Sequence, residues 1–452
     1  MIHKYSLNGY NIVLDVHSGA VHLVDDLSLK LLDYADEKMQ PECPGEAVKA
    51  LSGTYSGQEI AESYKELYDL YKDGLLFSQD DYAQFAERMV AAPIKSMCLN
   101  VAHDCNLRCQ YCFASTGDFG GERKLMPLEV GKKAIDFLIE NSKGRKNLEL
   151  DFFGGEPLMN FGVVKEVVKY ARSIEKEHNK NFRFTITTNG LLLDDDKIDF
   201  INREMSNVVL SLDGRREVND LLRIRVDGSG SYDSILPKYK KLVDKRAGKE
   251  YYIRGTFTTH NLDFSEDVFH LYDKGFDQIS VEPVVSDPKL EYSIKEGNLP
   301  AVFKEYEKLA KRLIEVRKGG GKINFFHFMV DLDQGPCAIK RLRGCSCGNE
   351  YVAVTPEGDI YPCHQFVGKA EWIMGNVLDG SYSFPMKERF ARTTVYQKET
   401  CKSCWAKFYC SGGCNANNLE YAGDILKPHT LACELEKKRV ECAIMIKAAL
   451  SE

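Results

Sequence analysis

At 452 residues and 44% hydrophobic content, the chain has the length and composition of roughly two or three soluble globular domains, and no stretch approaches the roughly 20 apolar residues of a membrane span. A net charge of −7 argues against a polyanion-binding surface, so neither a nucleic acid nor a membrane is an expected partner. The start of the chain has no apolar signal region, which predicts a cytoplasmic protein, where disulfides are rare and its fifteen cysteines are more economically read as metal ligands.

The cysteines divide the chain. None falls between Cys112 and Cys337, and ten of the fifteen lie from Cys337 to Cys442, which gives three parts: residues 1–92, 93–330 and 331–452. The first part opens on alternating β-rich text from Tyr10 to Val24, with Ser18-Gly19 as a hairpin turn. Leu27, Leu31 and Leu32 follow at helical spacing, and a second helix over 58–73 stops at Asp73-Gly74. Leu75-Leu76-Phe77 then reads as a short returning strand. Hairpin, helices and small strand together predict a compact winged-helix-like module, or a structural cap on the next domain.

The middle part alternates six β-like runs with helical text, the pattern of a parallel barrel or open sheet. The runs lie near 97–101, 148–153, 182–187, 208–212, 252–258 and 278–283. Functional residues in such sheets gather at the carboxyl ends of strands. Directly after the first run comes Cys105-Asn-Leu-Arg-Cys109-Gln-Tyr-Cys112-Phe113, spaced C-x3-C-x2-C. Three thiolates this close cradle a cubane of four irons and leave one iron open to a substrate or cofactor. Zinc is the alternative, although zinc spacings usually come as paired knuckles.

The second run ends in Gly154-Gly155-Glu156-Pro157, where two glycines let backbone approach a ligand and Glu156 offers a carboxylate to an ammonium. The third ends in Thr187-Thr188-Asn189-Gly190 and the fourth in Ser211-Leu212-Asp213-Gly214. Each is a tight turn or a set of groups for a ribose or an amino-acid carboxylate. Arg223 brings a fixed fork, suited to a ligand carboxylate or to a surface salt bridge. Glu282, after the sixth run, is a ligand contact or a buried structural carboxylate.

With Phe113 beside the last cysteine and Gly-Gly-Glu-Pro one β/α unit later, the chain resembles the radical S-adenosylmethionine (SAM) superfamily. The resemblance implies an α/β fold, a partial (β/α)6 TIM barrel. It places Cys105, Cys109 and Cys112 on a [4Fe-4S] cluster whose open iron is chelated by SAM, the source of a 5′-deoxyadenosyl radical. It assigns Gly154, Gly155 and Glu156 to the amino end of the SAM methionine. Phe113, Asn189, Ser211 and Arg223 are implied as further SAM contacts.

The last part carries Cys345, then Gly358-Asp-Ile-Tyr-Pro-Cys363, then Cys401-x2-Cys404-x5-Cys410-x3-Cys414 and finally Cys433. A zinc-ribbon-like site on Cys401, Cys404, Cys410 and Cys414 would leave the Gly-x4-Cys element and Cys433 unused. These seven cysteines resemble the SPASM domain, which implies two auxiliary [4Fe-4S] clusters and three clusters in all. By that resemblance Cys401, Cys404, Cys410 and Cys433 hold the outer one, and Cys345, Cys363 and Cys414 the inner one. Two fully ligated cubanes need about eight cysteines. The fourth inner ligand is therefore Cys337, or the site stays open for a substrate thiolate; Cys347 stands close enough to compete with Cys345. Cys43, Cys98 and Cys442 read as buried thiols.

SPASM-bearing radical SAM enzymes typically modify peptides, and residues 350–368 resemble the maturases of small six-cysteine (SCIFF) peptides. The resemblance implies a thioether (sactionine) crosslink between a Cys thiol and an acceptor carbon of a ribosomally made precursor. It further implies that residues 1–92 recognise a leader peptide by strand addition, and that a flavodoxin or ferredoxin donates electrons. An anaerobic sulfatase-type maturase making formylglycine is the alternative among enzymes, and an iron–sulfur electron-transfer protein the alternative outside them.

Overall fold

The computed structural model describes residues 1–330, 332 and 338–451, apart from the side chains of 338–340; Cys337 lies outside the described residues. Strand β1 (Ile2–Leu7) folds back on β2 (Tyr10–Asp15) through Asn8 and Gly9, both at positive φ (50° and 88°), as a two-residue type I′ hairpin turn demands. Strand β3 (Val21–Leu23) joins the other side of β2, completing a three-stranded antiparallel sheet. Helices Asp26–Leu31, Gly45–Leu51 and Gly57–Lys72 pack on it around Val13, Leu31, Ile60 and Tyr64. The longest of them begins with a capping box between Ser56 and Glu59.

The returning strand expected at 75–77 does not form. Phe77 lies in the left-handed region (φ 55°), which interrupts an extended run. Side chains tie the segment down instead. His22 Nε2 meets the Leu75 carbonyl at 2.9 Å, and the fully buried Asp15 takes hold of Ser78. The Asp15 carboxylate accepts from the Ser18 amide (3.0 Å) and hydroxyl (2.8 Å), the Ser78 amide (3.0 Å) and the Ser78 hydroxyl. Burial alone would raise this carboxyl; the hydrogen bonds from Ser78 and Ser18 outweigh it and hold the group below its ordinary value. Asp15→Ala strands three donors, the Ser18 amide keeping Ser78 Oγ at 2.9 Å, and is expected to lower stability by about 2–4 kcal/mol in urea unfolding. Because the folded value is depressed, this contribution is full above the ordinary carboxyl value near 4 and fades as pH falls through the folded one. The gap between wild type and variant should therefore narrow in acid, and a pH-independent gap would count against the charge.

Six parallel strands follow in chain order: β4 (Ser96–His103), then, past a two-residue antiparallel partner β5 (Lys124–Leu125), β6 (Asn147–Gly154), β7 (Asn181–Thr188), β8 (Met205–Ser211), β9 (Glu250–Phe257) and β10 (Gln278–Pro283). Each pairs with its predecessor among the six, the arrangement of a partial (β/α)6 barrel. Strands β6, β7 and β9 alternate buried and more open residues at period two. Helices such as Leu128–Asn141, Phe161–Ile174 and Tyr232–Asp244 cover the outside with Leu138, Val167 and Tyr239 in a shared core with Phe152, Phe184 and Ile253. All eight residues of β4 are buried, the mark of a strand covered on both faces.

The sheet continues past both ends of this run. Strand β11 (Asn324–Phe325) adds to β10, and β12 (Tyr351–Val354) lies parallel to β4, with Tyr351 opposite Ser96 and Val354 opposite Leu99. From β12 the chain turns through antiparallel strands β13 (Asp359–Tyr361), β14 (Gly375–Asn376) and β15 (Ser381–Tyr382). The last helix, Thr430–Ser451, carries Glu441 to the amino-terminal sheet, where its carboxylate meets His3 at 3.0 Å and its carbonyl accepts from the Tyr5 hydroxyl at 2.9 Å. His3 also stacks on Trp405 with ring centroids 3.7 Å apart. Among the described residues no helix is long and apolar enough to cross a membrane.

Candidate functional site

The three spaced cysteines occupy the loop that leaves the carboxyl end of β4. The loop is clamped from across the barrel mouth: the Arg108 amide donates to the Ile224 carbonyl (2.7 Å) and the Gln110 amide to the Leu222 carbonyl (3.0 Å). Burial pushes the Cys105 thiol up to about 12 and the Cys109 thiol up to about 11, the latter opposed by the Arg223 guanidinium. Thiols so enclosed ionise only against a strong local positive charge, which a bound iron cluster supplies. Among the described residues no three His, Cys, Asp or Glu side chains converge on a point as a single ion requires. A cubane with one thiolate per iron draws its ligands from a wider ring.

Gly154 and Gly155 serve this loop directly. A Cβ on Gly154 (φ 129°) would stand 2.2 Å from the Ala102 carbonyl oxygen, and one on Gly155 2.2 Å from that of Asp104. Their backbone is stitched to β4 and the loop by Gly155 N–H to Ala102 (2.7 Å) and Glu156 N–H to Asp104 (2.9 Å). The two glycines thus permit a close approach to the Ala102 and Asp104 carbonyls. Glu156 turns inward and is fully buried, accepting from the Leu158 amide (3.0 Å), the Thr188 hydroxyl (2.8 Å) and the Asn189 amide (2.8 Å). Burial raises its carboxyl to about 7 against those hydrogen bonds. Its carboxylate therefore fixes the end of β7, where Asn189 donates from Nδ2 to Asn106 Oδ1 (2.8 Å) and lies 3.6 Å from Cys105 Sγ. Ser211 closes β8 half-buried, its carbonyl accepting from Tyr239 at 3.1 Å.

Arg223 is paired inside the site and is no surface salt bridge. Its Nε stands 2.9 Å from Asp213 Oδ1, and its guanidinium lies 5.4 Å from the Tyr111 ring. Asp213 also takes the Tyr111 hydroxyl and the Thr256 amide (2.9 Å). Tyr111, Asp213 and Arg223 thus lock the cysteine loop to the ends of β8 and β9. Further along, Arg254 donates to Glu282 at 2.8 Å. Burial favours a raised Glu282, but the Arg254 charge, with His327 and Arg439 behind it, brings that carboxyl down to about 2. Both side chains stay partly open, 45% and 34% exposed. Phe113, 50% exposed, packs toward the same region, with His364 5.5 Å and Phe119 6.1 Å away between ring centroids. His364 also lies 5.0 Å from Phe153 and meets the Tyr351 hydroxyl at 3.1 Å. Tyr111, Arg254 and His364 are not anticipated as site residues from the sequence; the available signals are the place of Tyr111 directly before Cys112 and of His364 directly after Cys363.

The remaining cysteines gather in two places. A cavity of about 430 Å³ is lined by Cys401, Cys404, Cys410 and Cys433 together with Lys407 and Lys437. Its four thiols and size suit the outer cluster. Beside it, Cys345 and Cys347 lie within hydrogen-bonding reach of each other, and Cys345, Cys347, Cys363 and Cys414 are close enough to influence one another's ionisation. The Cys347 hydrogen bond holds Cys345 low, while Cys347 itself is driven up. Lys398, buried between the two groups, donates to the Gly412 carbonyl (2.7 Å) and Asn415 Oδ1 (2.9 Å). Cys98 and Cys442 are buried, as expected, whereas Cys43 is only half-buried.

Comparison with known proteins agrees with this geometry. The Radical SAM superfamily profile matches residues 99–261, and the SPASM iron–sulfur cluster-binding domain matches 345–405. The chain is 22% identical over 404 residues to the radical SAM cyclopropyl synthase TigE of Paramaledivibacter caminithermalis, covering 85% of this chain and 78% of that one. It is 25% identical over 336 residues to a cysteine-type anaerobic sulfatase-maturating enzyme of Clostridium novyi, covering 70% and 86%. Among solved structures, anSMEcpe with bound AdoMet superposes with a TM-score of 0.67 at 20% identity, over 80% of this chain and 96% of that one. Streptococcus suis SuiB bound to its precursor peptide SuiA gives 0.51 at 16% identity, over 93% and 95%. These two likenesses show the fold.

Proposed function

From the premise that this chain is a radical SAM enzyme with a SPASM domain, acting on peptides and using SAM and iron–sulfur clusters, we propose that it forms thioether crosslinks in a ribosomally made precursor peptide. The observation that carries the reading is one molecule with three parts. There is a cysteine loop clamped over a barrel mouth, a second pair of thiol groups beside it, and a separate amino-terminal sheet with a free edge. In this reading residues 1–92 recognise the leader, 93–330 form the radical SAM barrel, and 331–452 hold the auxiliary clusters.

When bound, SAM with its cluster supplies a 5′-deoxyadenosyl radical, and the auxiliary clusters supply a one-electron sink. A thioether bond costs the substrate one C–H and one S–H bond. One hydrogen leaves as an atom, the other as a proton, and one electron remains to be removed. The chain's own residues arrange this. Cys105, Cys109 and Cys112 hold the first cluster, and Tyr111, Asp213 and Arg223 fix that loop. Glu156 positions Asn189 beside Cys105. Gly154, Gly155, Phe113, Asn189, Ser211 and Arg223 border the space that SAM takes. Arg254, Glu282 and His364 line the side on which the peptide core meets the barrel. An electron donor such as a flavodoxin or ferredoxin recharges the system.

The leader would add a strand to β3, one of the two edge strands of the sheet. Val24 N–H points back to Asn11 (3.1 Å), so by strand alternation Leu23 N–H points outward. Leu23→Pro removes that donor while sparing the β2 pairing, and is expected to weaken precursor binding about tenfold in titration calorimetry. Peptide-free SAM cleavage separates module from barrel: an equal loss of both would sink the modular reading.

The function is tested by mass spectrometry of a leader-plus-core peptide after anaerobic incubation with SAM and reductant. Loss of two hydrogens for each crosslink, mapped to a cysteine sulfur, supports the thioether. Loss of sulfur from a cysteine would instead identify formylglycine formation, and SAM left uncleaved by the reduced, reconstituted enzyme would favour a plain electron carrier.

A further inference from the structure

We propose that Cys347 is the fourth thiolate of the inner auxiliary cluster, completing a set with Cys345, Cys363 and Cys414, so that the chain itself closes the position a substrate thiol would otherwise take. The inference rests on the SPASM assignment for the presence of the cluster and is independent of which bond the enzyme makes.

The backbone around Cys347 is shaped to bring two cysteines to one place. Gly344, Ser346 and Gly348 all have positive φ (69°, 58° and 69°), so the chain reverses its curl at every second residue. Ser346 has no glycine's licence for that conformation, which costs of order 1 kcal/mol. It is held there by its carbonyl, which accepts from the amides of Asn349 (3.1 Å) and Glu350 (3.0 Å). Gly348 has no room for a side chain, since a Cβ would stand 2.4 Å from the Phe390 ring. The result is that the Cys345 and Cys347 thiols face each other although a single residue separates them. Cys347 is buried at 3% exposure beside Cys363.

A second observation concerns the sulfur itself. Asn415 Nδ2 donates to Cys347 Sγ at 3.4 Å. The orientation of that amide is forced from its other end, where Asn415 Oδ1 accepts from Lys398 Nζ at 2.9 Å. An ammonium only donates, so the amide must show its oxygen to Lys398 and its N–H to the sulfur. The amide so oriented fixes where the buried sulfur points, as partners behind a metal ligand do. With four protein thiolates in place, no iron of that cluster would be left for a substrate sulfur to bind.

The test uses the full-length chain with Cys105, Cys109 and Cys112 replaced by Ala, which removes the open iron of the first cluster. After anaerobic reconstitution and reduction, carbon-13-labelled cyanide is added and its coupling to iron read by electron–nuclear double resonance. No coupling is expected in this parent. Adding Cys347→Ala is expected to create one, with iron content near eight per chain in both, at four irons per cubane. Coupling in the parent, or none in the Cys347→Ala protein at full iron content, overturns the proposal. If that variant loses iron, Cys347→Ser decides: altered g values of the inner cluster support ligation, and unchanged values overturn it. No crosslinked product is read at any stage, so failure here and failure of the thioether reading are separate results.

Discussion

Replacing Cys105, Cys109 and Cys112 together with Ala abolishes 5′-deoxyadenosine formation from SAM while the carboxy-terminal clusters persist. The expected drop in iron is from about twelve to about eight per chain, at four for each cubane. The selectivity follows from where the loop gets its support. Its backbone is clamped to Leu222 and Ile224 and its Tyr111 is locked to Asp213, so the barrel mouth keeps its shape without thiolates. The other seven matched cysteines lie from Cys345 onward, six of them past β12, and four of those line their own cavity. Deoxyadenosine measured by chromatography and iron by colorimetry give the answer together. Turnover at the wild-type rate would remove the reactive cluster from this loop altogether.

Gly155→Ala is expected to cost about 100-fold or more in SAM cleavage through the backbone it would displace. The added methyl would meet the Asp104 carbonyl at 2.2 Å and the Gly117 Cα at 2.9 Å, all backbone, so nothing can rotate away. The Cys105 segment must therefore move by an ångström or more, a displacement that commonly costs about 100-fold when it misplaces reacting groups. The overpacking itself destabilises by about 1–3 kcal/mol, which leaves the protein folded. Circular dichroism unchanged beside a collapsed rate is the expected pair of results; a rate within a few-fold of wild type would show that the turn has slack the packing denies.

How much of this was legible beforehand depends on how local each signal is. The six barrel strands were readable because each is a short apolar run closed by its own turn residues, and the observed strands contain or overlap every run. The cysteine spacings were equally local. Strand β1 was passed over, although Asn8-Gly9 between two extended runs is a strong hairpin signal. The strand expected at 75–77 failed because hydrophobic pattern carries no information on φ, and Phe77 is left-handed there. The pairing of β12 with β4 was out of reach, since the two are about 250 residues apart and each satisfies the other's edge. At the site, the same limit applied. Arg223 and Glu156 were singled out as ligand groups, but their partners Asp213, Tyr111 and Thr188 come from other loops. Only three-dimensional proximity could say that Glu156 also ties the turn after β6 to the end of β7.

The β4–β12 ladder has a consequence for anyone who would recombine such enzymes. Swapping auxiliary domains between relatives treats the boundary near residue 330 as a seam. Here the first strand past it is hydrogen-bonded, residue for residue, to the strand that launches the cysteine loop: Val352 beside Met97, Ala353 beside Cys98. A chimera spliced there inherits a register as well as a linker, and a slip of one position would turn every side chain of β12 to the opposite face. The placement of the cysteine loop relative to the chain that follows β12 is thus set like the teeth of a zip. Grafts that carry β12 with its native partner strand should keep that placement, and grafts that cut between them should lose it even when both halves fold.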